Sequence, residues 1–175
     1  MNSDCNLRCR LLQRMGMSDV EAICCLAADG DDVMENLFAL VADADDRVRV
    51  NALWVLTHFP ASANQLFLLR RHMLCEFLLA EENLSARRLL LSLLCRMPFA
   101  ADDIDTRLLD FSLSLVGDSS QPVGIRSLAM KLSFMQCRHY PELKSELRQL
   151  IELSMPDVQA SAAMKSVWRH ISKSL

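Results

Sequence analysis

Four cysteines near the amino terminus are candidates for metal binding or redox chemistry. Cys5 and Cys9 lie one helical turn apart, and Cys24 and Cys25 follow as an adjacent pair. Four thiolates can hold a structural zinc ion, but zinc motifs favour gaps of two residues, and adjacent residues on a helix point about 100° apart. We therefore prefer core packing as small hydrophobic side chains, with redox chemistry as the alternative. No metal and no other cofactor is expected.

The sequence offers no recognisable catalytic machinery. It has no Gly-flanked Ser elbow, no Gly-rich phosphate loop and no His-x-x-x-His pair. Its four histidines, His58, His72, His139 and His170, are far apart in the chain. We therefore expect a protein that is not an enzyme.

The distribution of charge is the most informative feature of the sequence. The chain has 19 Lys and Arg against 22 Asp and Glu, which gives a net charge of −3. Four segments nevertheless contain eleven Lys or Arg and no Asp or Glu, although the overall frequency of acids predicts about eight or nine. These segments are Arg47–Pro60, Asn83–Pro98, Gln121–Tyr140 and Val158–Leu175. An acidic protein thus has a layer without carboxylates.

The elements that must position these residues are helices. Only four Gly and five Pro interrupt a chain dominated by helix-forming residues. Turn signals predict about ten helices joined by short loops, so that neighbouring helices pack antiparallel. The predicted helices cover roughly residues 4–15, 18–29, 31–43, 45–59, 62–80, 84–96, 102–117, 121–139, 141–154 and 157–175.

The length and the cysteine content bound the class of protein. A chain of 175 residues is one domain that can bury a core without disulfides or metal. The first twelve residues carry charges and no apolar h-region, and no run approaches the roughly 18 apolar residues of a membrane span. We therefore expect no signal peptide, no membrane partner, and free thiols in a reducing cytoplasm.

The second helix of each predicted pair repeats one motif. Its copies are Val48-Arg49-x-x-Ala52-Leu53, Ala86-Arg87-x-x-Leu90-Leu91, Ile125-Arg126-x-x-Ala129-Met130 and a weaker Ala163-Met164. The four aligned positions, from Ala52 to Ala163, are 38, 39 and 34 residues apart. A period near 40 with two helices per unit is typical of HEAT and armadillo solenoids. Over about residues 31–175 the chain therefore resembles the HEAT-repeat family.

This resemblance implies a fold and a surface. The implied fold is an all-α, right-handed α–α superhelix of about four hairpins in one structural domain. The hairpins cover about residues 31–60, 61–98, 99–140 and 141–175, and the unmatched residues 1–30 are expected to cap the first hairpin. In such solenoids the second helices, here called B helices, line the concave face.

The arginines of the motif have two interpretations. Arg49, Arg87 and Arg126 form either a row of ligand-binding cations or a structural ladder that pairs with acids. Asp43 precedes Arg49 by six residues and Glu81 precedes Arg87 by six, which is the spacing of the family's acid. We therefore favour the ladder, with each arginine paired to an acid of its own or a neighbouring repeat. Such pairs specify register more reliably than they stabilise.

A helical wheel separates the open face of the B helices from the core. With Ala52 and Leu56 facing the core, Arg47, Trp54 and His58 fall on the opposite side of the helix. In the later copies, exposed cations of this face are predicted at Arg96, Lys131, Lys165 and Arg169. The surface is then a mildly apolar groove with cations and one Trp. Alternatively, the cations bind no ligand and only interact favourably with the helix dipoles or keep one face of the helices solvated.

The leading hypothesis is a non-catalytic scaffold whose concave face binds an acidic segment of another protein. The alternative is a nucleic-acid binder, since phosphates suit the same cations. The chain also looks loosely like the DNA-alkylation-repair glycosylases, which use HEAT-like repeats with a concave catalytic Asp beside aromatics. Because the B segments contain no Asp or Glu, this chain has no residue there that could serve as the catalytic Asp of those enzymes.

Overall fold

A computed structural model describes residues 3–28 and 31–175, and for residues 3–6, 28 and 31 it describes the backbone only. Within those residues the chain forms twelve α-helices, two short 3₁₀ turns and no strand, so the all-α prediction is confirmed. The helices are α1 Ser3–Leu12, α2 Met17–Ala28, α3 Asp31–Leu40, α4 Asp46–His58, α5 Asn64–Leu69, α6 Arg71–Ala80, α7 Leu84–Leu94, α8 Thr106–Gly117, α9 Val123–Cys137, α10 Pro141–Leu153, α11 Met155–Ala160 and α12 Ala162–Ile171.

The predicted fifth helix is broken into α5 and α6 at Arg70. The backbone of Arg70 leaves the helical region, with φ −108° and ψ 12°. Its guanidinium forms an ion pair with Glu35 and lies 4.6 Å from the ring centre of Phe38, both in α3. No Pro or Gly lies at the break, so the local sequence does not predict it. The contacts of Arg70 with α3 stabilise the bend.

The last predicted helix is also two helices. Pro156 lies in the first turn of α11, where proline is tolerated. Ser161 then adopts an extended conformation, with φ −114° and ψ 125°, and its side chain accepts a hydrogen bond from the N–H of Met164. Ser161 therefore acts as the N-cap that starts a new helix, α12.

Aspartates cap the starts of two helices. Asp45 accepts hydrogen bonds from the N–H groups of Arg47 and Val48 at the start of α4. Asp105 does the same for Arg107 and Leu108 at the start of α8. The predicted start of α8 at residue 102 or 103 was therefore wrong, since residues 101–103 form a 3₁₀ turn before the cap.

The chain divides into two compact units, one ending at Leu93 and one beginning at Leu94. In the N-terminal unit α1, α2 and α3 all pack against α4. Leu11, Ile23, Leu37 and Leu56 are fully buried there. Helices of 10 to 13 residues do not persist alone in water, so this packing must stabilise them. Each buried large aliphatic side chain contributes roughly 1.5–3 kcal/mol.

In the C-terminal unit α9 is the central helix. It packs against α8, α10 and α12, and its Ala129, Met130 and Leu132 are fully buried. Gly117 ends α8 close to α10, because a Cβ at Gly117 would lie 3.3 Å from Leu150 Cδ1. The absence of that side chain permits the close approach of the two helices.

The aligned motif positions are core residues in three of the four copies. Ala52, Leu90 and Ala129 are fully buried, whereas Ala163 is exposed and its neighbour Met164 is fully buried instead. The placement of Ala163 in the core was wrong by one residue. Because α12 starts only at Ala162, its buried face begins at Met164 as it packs against α9. None of the described helices is both long and apolar enough to cross a membrane.

Candidate functional site

Arg49 of α4 is held on three sides. Its Nε and Nη2 each lie 3.2 Å from the carboxylate of Glu81, and its Nη1 donates to the carbonyl of Asp43 at 3.0 Å. Asp46 adds a further carboxylate contact of 2.5 Å. The hydrogen bond that Arg49 donates to the carboxylate of Glu81 is the largest cause that raises the pKa of Arg49. With its donors engaged in this way, Arg49 has the kind of contacts expected of the structural ladder.

The carboxylate of Asp43 pairs with Arg8 and not with Arg49. Arg8 Nε and Nη2 lie 2.6 and 2.9 Å from the two carboxylate oxygens. This hydrogen bond is the largest cause that lowers the pKa of Asp43. Asp43 thus offers its backbone carbonyl to the arginine of its own repeat and its side chain to an arginine of α1.

Arg87 and Arg126 repeat the carbonyl contact. Arg87 Nε and Nη2 donate to the carbonyl of Glu81 at 3.1 and 2.5 Å. Arg126, only 3% exposed, donates from Nε and Nη2 to the carbonyl of Val116 at 3.1 and 3.0 Å. Its Nη1 also reaches Asp157 at 3.0 Å. Each arginine therefore ties its B helix to a carbonyl that precedes the helix.

The carboxylates that pair with these arginines come from later in the chain. Arg8 pairs with Asp43, 35 residues on, Arg49 with Glu81, 32 residues on, and Arg126 with Asp157, 31 residues on. The spacing is close to one repeat, so each pair links successive repeats within its unit. Glu81 was expected to pair with Arg87. Its backbone carbonyl accepts hydrogen bonds from Arg87, whereas its carboxylate accepts them from Arg49.

Arg8 was missed by sequence reasoning although a signal for it exists. Leu7-Arg8-x-x-Leu11-Leu12 has the same pattern as Val48-Arg49-x-x-Ala52-Leu53. Helix α1 packs directly on α4, as a neighbouring B helix would. The segment set aside as an unmatched cap thus has a motif of its own.

On α4 the predicted open-face row is partly covered by the end of α1. Arg47 is exposed, but its Nη1 donates to the carbonyl of Leu12 at 3.3 Å. Asn51 donates to the carbonyls of Leu11 at 2.7 Å and Gln13 at 3.4 Å. These bonds satisfy carbonyls left unpaired at the end of a helix. Arg47 and Asn51 therefore fix α1 beside α4.

Further along the same row, Trp54 and His58 form an aromatic pair. Their ring centres are 5.9 Å apart at an interplanar angle of 82°. His58 Nδ1 lies 2.9 Å from the carbonyl of Trp54, which orients the imidazole. Trp54 is half-buried and His58 is exposed. The pair presents an accessible aromatic surface within the N-terminal unit.

The other four predicted residues, Arg96, Lys131, Lys165 and Arg169, lie in the C-terminal unit. Lys131 on α9 and Arg169 on α12 are exposed, and Lys165 is half-buried one turn before Arg169. The described residues provide no carboxylate within ion-pair distance of Lys131, Lys165 or Arg169. Because α12 packs against α9, these cations belong to two adjacent helices.

Arg96 differs from the prediction that it is exposed. It is half-buried in the turn after α7, and burial lowers the pKa of its guanidinium. The adjacent Cys95 is buried, its Sγ lies 3.5 Å from the carbonyl of Leu128, and burial raises its pKa to about 12 against the opposing charge of Lys131. Arg96 therefore contributes less accessible charge than Lys131 or Arg169.

The amino-terminal cysteines divide by exposure. Cys9 and Cys25 are exposed, whereas Cys24 is half-buried and its Sγ lies 3.8 Å from the carbonyl of Val55. The side chain of Cys5 lies outside the part that the structure describes. Across the described side chains, no three His, Cys, Asp or Glu residues are arranged to hold a metal ion. The predicted core packing therefore does not apply to Cys9 or Cys25.

Comparison with known proteins connects this arrangement to a family. A model of the HEAT repeat domain family matches residues 7–175. The match begins within α1, at the first residue of the additional motif Leu7-Arg8. No curated protein and no solved structure matches the chain.

Proposed function

Because this chain belongs to the HEAT repeat domain family, we propose that it is a non-catalytic scaffold which binds an acidic segment of another protein. The B helices are α4 and α7 in the N-terminal unit and α9 and α12 in the C-terminal unit, and the open side of the B helices in each unit is a surface for such a segment. Proteins of this family are typically helical scaffolds for protein interaction. The proposal adds to that the chemical class of the partner.

The main support for this proposal is the contrast between two groups of cations on the B helices, those that bind other groups of the protein and those that have no carboxylate partner among the described residues. Arg49, Arg87 and Arg126 are used by the ladder. Lys131 and Arg169 are exposed and have no carboxylate partner among the described residues. Because the four B segments contain no Asp or Glu, no acid of their own competes for these cations. Positive charge left without partners favours an anionic ligand and speeds its encounter.

Trp54 supports a protein partner over a nucleic acid. It is a half-buried aromatic residue beside the exposed His58. An aromatic anchor within a polar rim is the usual composition of a hot spot. A nucleic-acid surface needs more cations and more stacking rings, while this chain has a sequence pI near 5.8.

Free thiols support a reducing compartment, and we place the protein in the cytoplasm. The six cysteines whose side chains are described are all free, including the exposed Cys9 and Cys25. Exposed thiols persist where glutathione and thioredoxin keep them reduced.

The test compares two labelled probes, a decapeptide of alternating Glu and Asp and a duplex DNA of random sequence. Fluorescence anisotropy is measured with the full chain over a series of salt concentrations. We expect saturable binding of the peptide at physiological salt and weaker binding of the DNA. A phosphate binder would instead bind DNA with a steep linear fall of log affinity against log salt. That outcome, or no binding of the peptide, would overturn the proposal.

Charge-reversal variants assign the binding to the B helices. Lys131→Glu with Arg169→Glu should weaken peptide binding by about tenfold or more. Lys144→Glu with Arg148→Glu on α10 makes the same change in net charge away from the B helices and should have little effect. The melting temperature should not change in the first pair, since both side chains are exposed. Equal losses in the two pairs would show that only net charge matters.

A further inference from the structure

We infer that the corner between α1 and α2 is a pocket for the carboxylate of a Glu or Asp side chain. The inference rests on the proposed function for the class of partner, an acidic protein segment. It adds a specific receiving site that the predicted surface did not include. The site lies entirely within the N-terminal unit.

The corner contains a cavity of about 130 Å³. Its lining residues are Arg10, Gln13, Arg14, Met15, Asp19 and Ile23. A water molecule occupies about 30 Å³ in the liquid, so the cavity holds only a few heavy atoms. A carboxylate with one or two methylene groups fits this space, whereas drug-sized ligands need about 300 Å³ or more.

Two arginines supply the positive charge. Arg14 is exposed and Arg10 is half-buried. Neither guanidinium has a hydrogen bond or an ion pair with any described residue, unlike the guanidinium of Arg8 in α1. Guanidinium groups bind carboxylates through charge-assisted and often bidentate hydrogen bonds. The two unpaired groups therefore offer donors to a carboxylate from outside.

The remaining lining residues provide an apolar floor and a further donor, while Asp19 adds a negative charge. The carboxylate of Asp19, in the first turn of α2, accepts the N–H of Gly16 at 2.8 Å, so part of that charge is engaged within the chain. Ile23 is fully buried and Met15 is half-buried, so they form an apolar floor. This floor suits the methylene groups of an acidic side chain, and Gln13 adds an amide that donates hydrogen bonds.

The pocket continues the open-face row of α4. In the additional motif, Arg10 takes the position that Asn51 has in α4, and Gln13 takes the position of Trp54. Asn51 joins the two rows through its bonds to the carbonyls of Leu11 and Gln13. A segment bound along Trp54 and His58 can therefore place an acidic side chain in the pocket. This continuity favours a protein carboxylate over an isolated anion.

The experiment follows the side-chain Nε–H signals of arginine in the ¹⁵N-arginine-labelled full chain. The variants Arg10→Gln and Arg14→Gln assign the two signals. The probes are the Glu/Asp decapeptide, a matched Gln/Asn decapeptide, a phosphoserine decapeptide and propionate. We expect the acidic peptide and propionate to shift both signals, and the Gln/Asn peptide to leave them unchanged.

The double variant Arg10→Gln/Arg14→Gln should bind the acidic peptide about tenfold or more weakly. Arg148→Gln on α10 removes a charge elsewhere and serves as the control, with unchanged affinity. Arg10→Lys/Arg14→Lys keeps the charge and removes the guanidinium geometry. Its affinity for the acidic peptide should therefore lie between that of the double glutamine variant and that of the control. Undiminished binding by the double glutamine variant overturns the pocket while the proposed function stands.

The two proposals fail in distinguishable ways. If propionate shifts both signals but no acidic peptide binds, the pocket is retained and the proposed function is wrong. If the phosphoserine peptide binds more tightly than the Glu/Asp peptide, the assignment to a carboxylate is wrong. If neither propionate nor the acidic peptide shifts the two signals, the pocket is overturned.

Discussion

Arginine occurs in two settings in this protein, and its contacts tell them apart. Arg126 is 3% exposed and donates to both a carbonyl and a carboxylate, whereas Arg169 is exposed with no acid partner among the described residues. Residue type alone made both arginines candidates for binding a ligand. Burial and hydrogen-bond partners tie Arg126 into the fold, whereas Arg169 is one of the cations that we propose to bind a ligand.

The ladder predicts an asymmetry between the two partners of one ion pair. Arg126→Ala should lower the free energy of unfolding by about 2–4 kcal/mol, because it leaves the buried carbonyl of Val116 without its donors and opens a cavity. Asp157→Ala should cost less than Arg126→Ala because the carbonyl contact remains, although it leaves the guanidinium of Arg126, whose side chain is 4% exposed, without its carboxylate. Urea unfolding of both variants measures the difference. Equal losses would mean that the ion pair, and not the carbonyl contact, dominates.

Gln136 in α9 is a buried amide without a hydrogen-bond partner among the described residues. It is 2% exposed, and neither its Oε1 nor its Nε2 has a hydrogen bond within the part of the chain that the structure describes. An unsatisfied buried polar group costs about 1–3 kcal/mol. Gln136→Met, which keeps the shape and removes the amide, should therefore raise the free energy of unfolding by about 1 kcal/mol.

The control for this variant is Gln149→Met on α10, where the side chain is exposed. It makes the same chemical change and should leave stability nearly unchanged. Chemical denaturation of both variants provides the measurement. A destabilised Gln136→Met would indicate that the amide has a partner, such as a buried water, that the variant loses.

At the scale of the helix, the motif predicts the core well except where the helix start moves. The Ala positions of α4 and α9 are fully buried, and the aligned Ala163 of α12 is exposed because the Ser161 cap delays the helix. The break at Arg70 shows the same effect, since a contact with α3 overrides good local helix propensity. Local pattern therefore predicts which helices exist better than where they begin.

A matched pair of substitutions tests this assignment of faces. Ala129→Arg places a long charged side chain at a fully buried position of α9 and should unfold the C-terminal unit or prevent its folding. Ala163→Arg makes the same change at an exposed position of α12 and should change stability by no more than about 0.5 kcal/mol. Circular dichroism melting curves distinguish them. A strongly destabilised Ala163→Arg would restore the original alignment.

At the scale of the whole molecule, the charges are segregated although the net charge is only −3. The acid-free B segments were visible in the sequence and carry the proposed function. The pocket beside Arg10 and Arg14 was not predicted, because residues 1–30 were set aside as an unmatched cap. The family match from residue 7 and the contacts of Arg8 bring this segment into the repeat array.

The all-α class, the repeat period and most of the core could be predicted from the sequence, because these follow from the spacing of apolar residues along a helix. Which polar groups meet depends on how the helices pack in three dimensions. Asp43 pairs with Arg8, and Arg49 with Glu81, across gaps of 35 and 32 residues. Helical periodicity says which face a side chain is on, but the choice of a distant partner depends on how neighbouring helices pack, and that packing is a property of many side chains together.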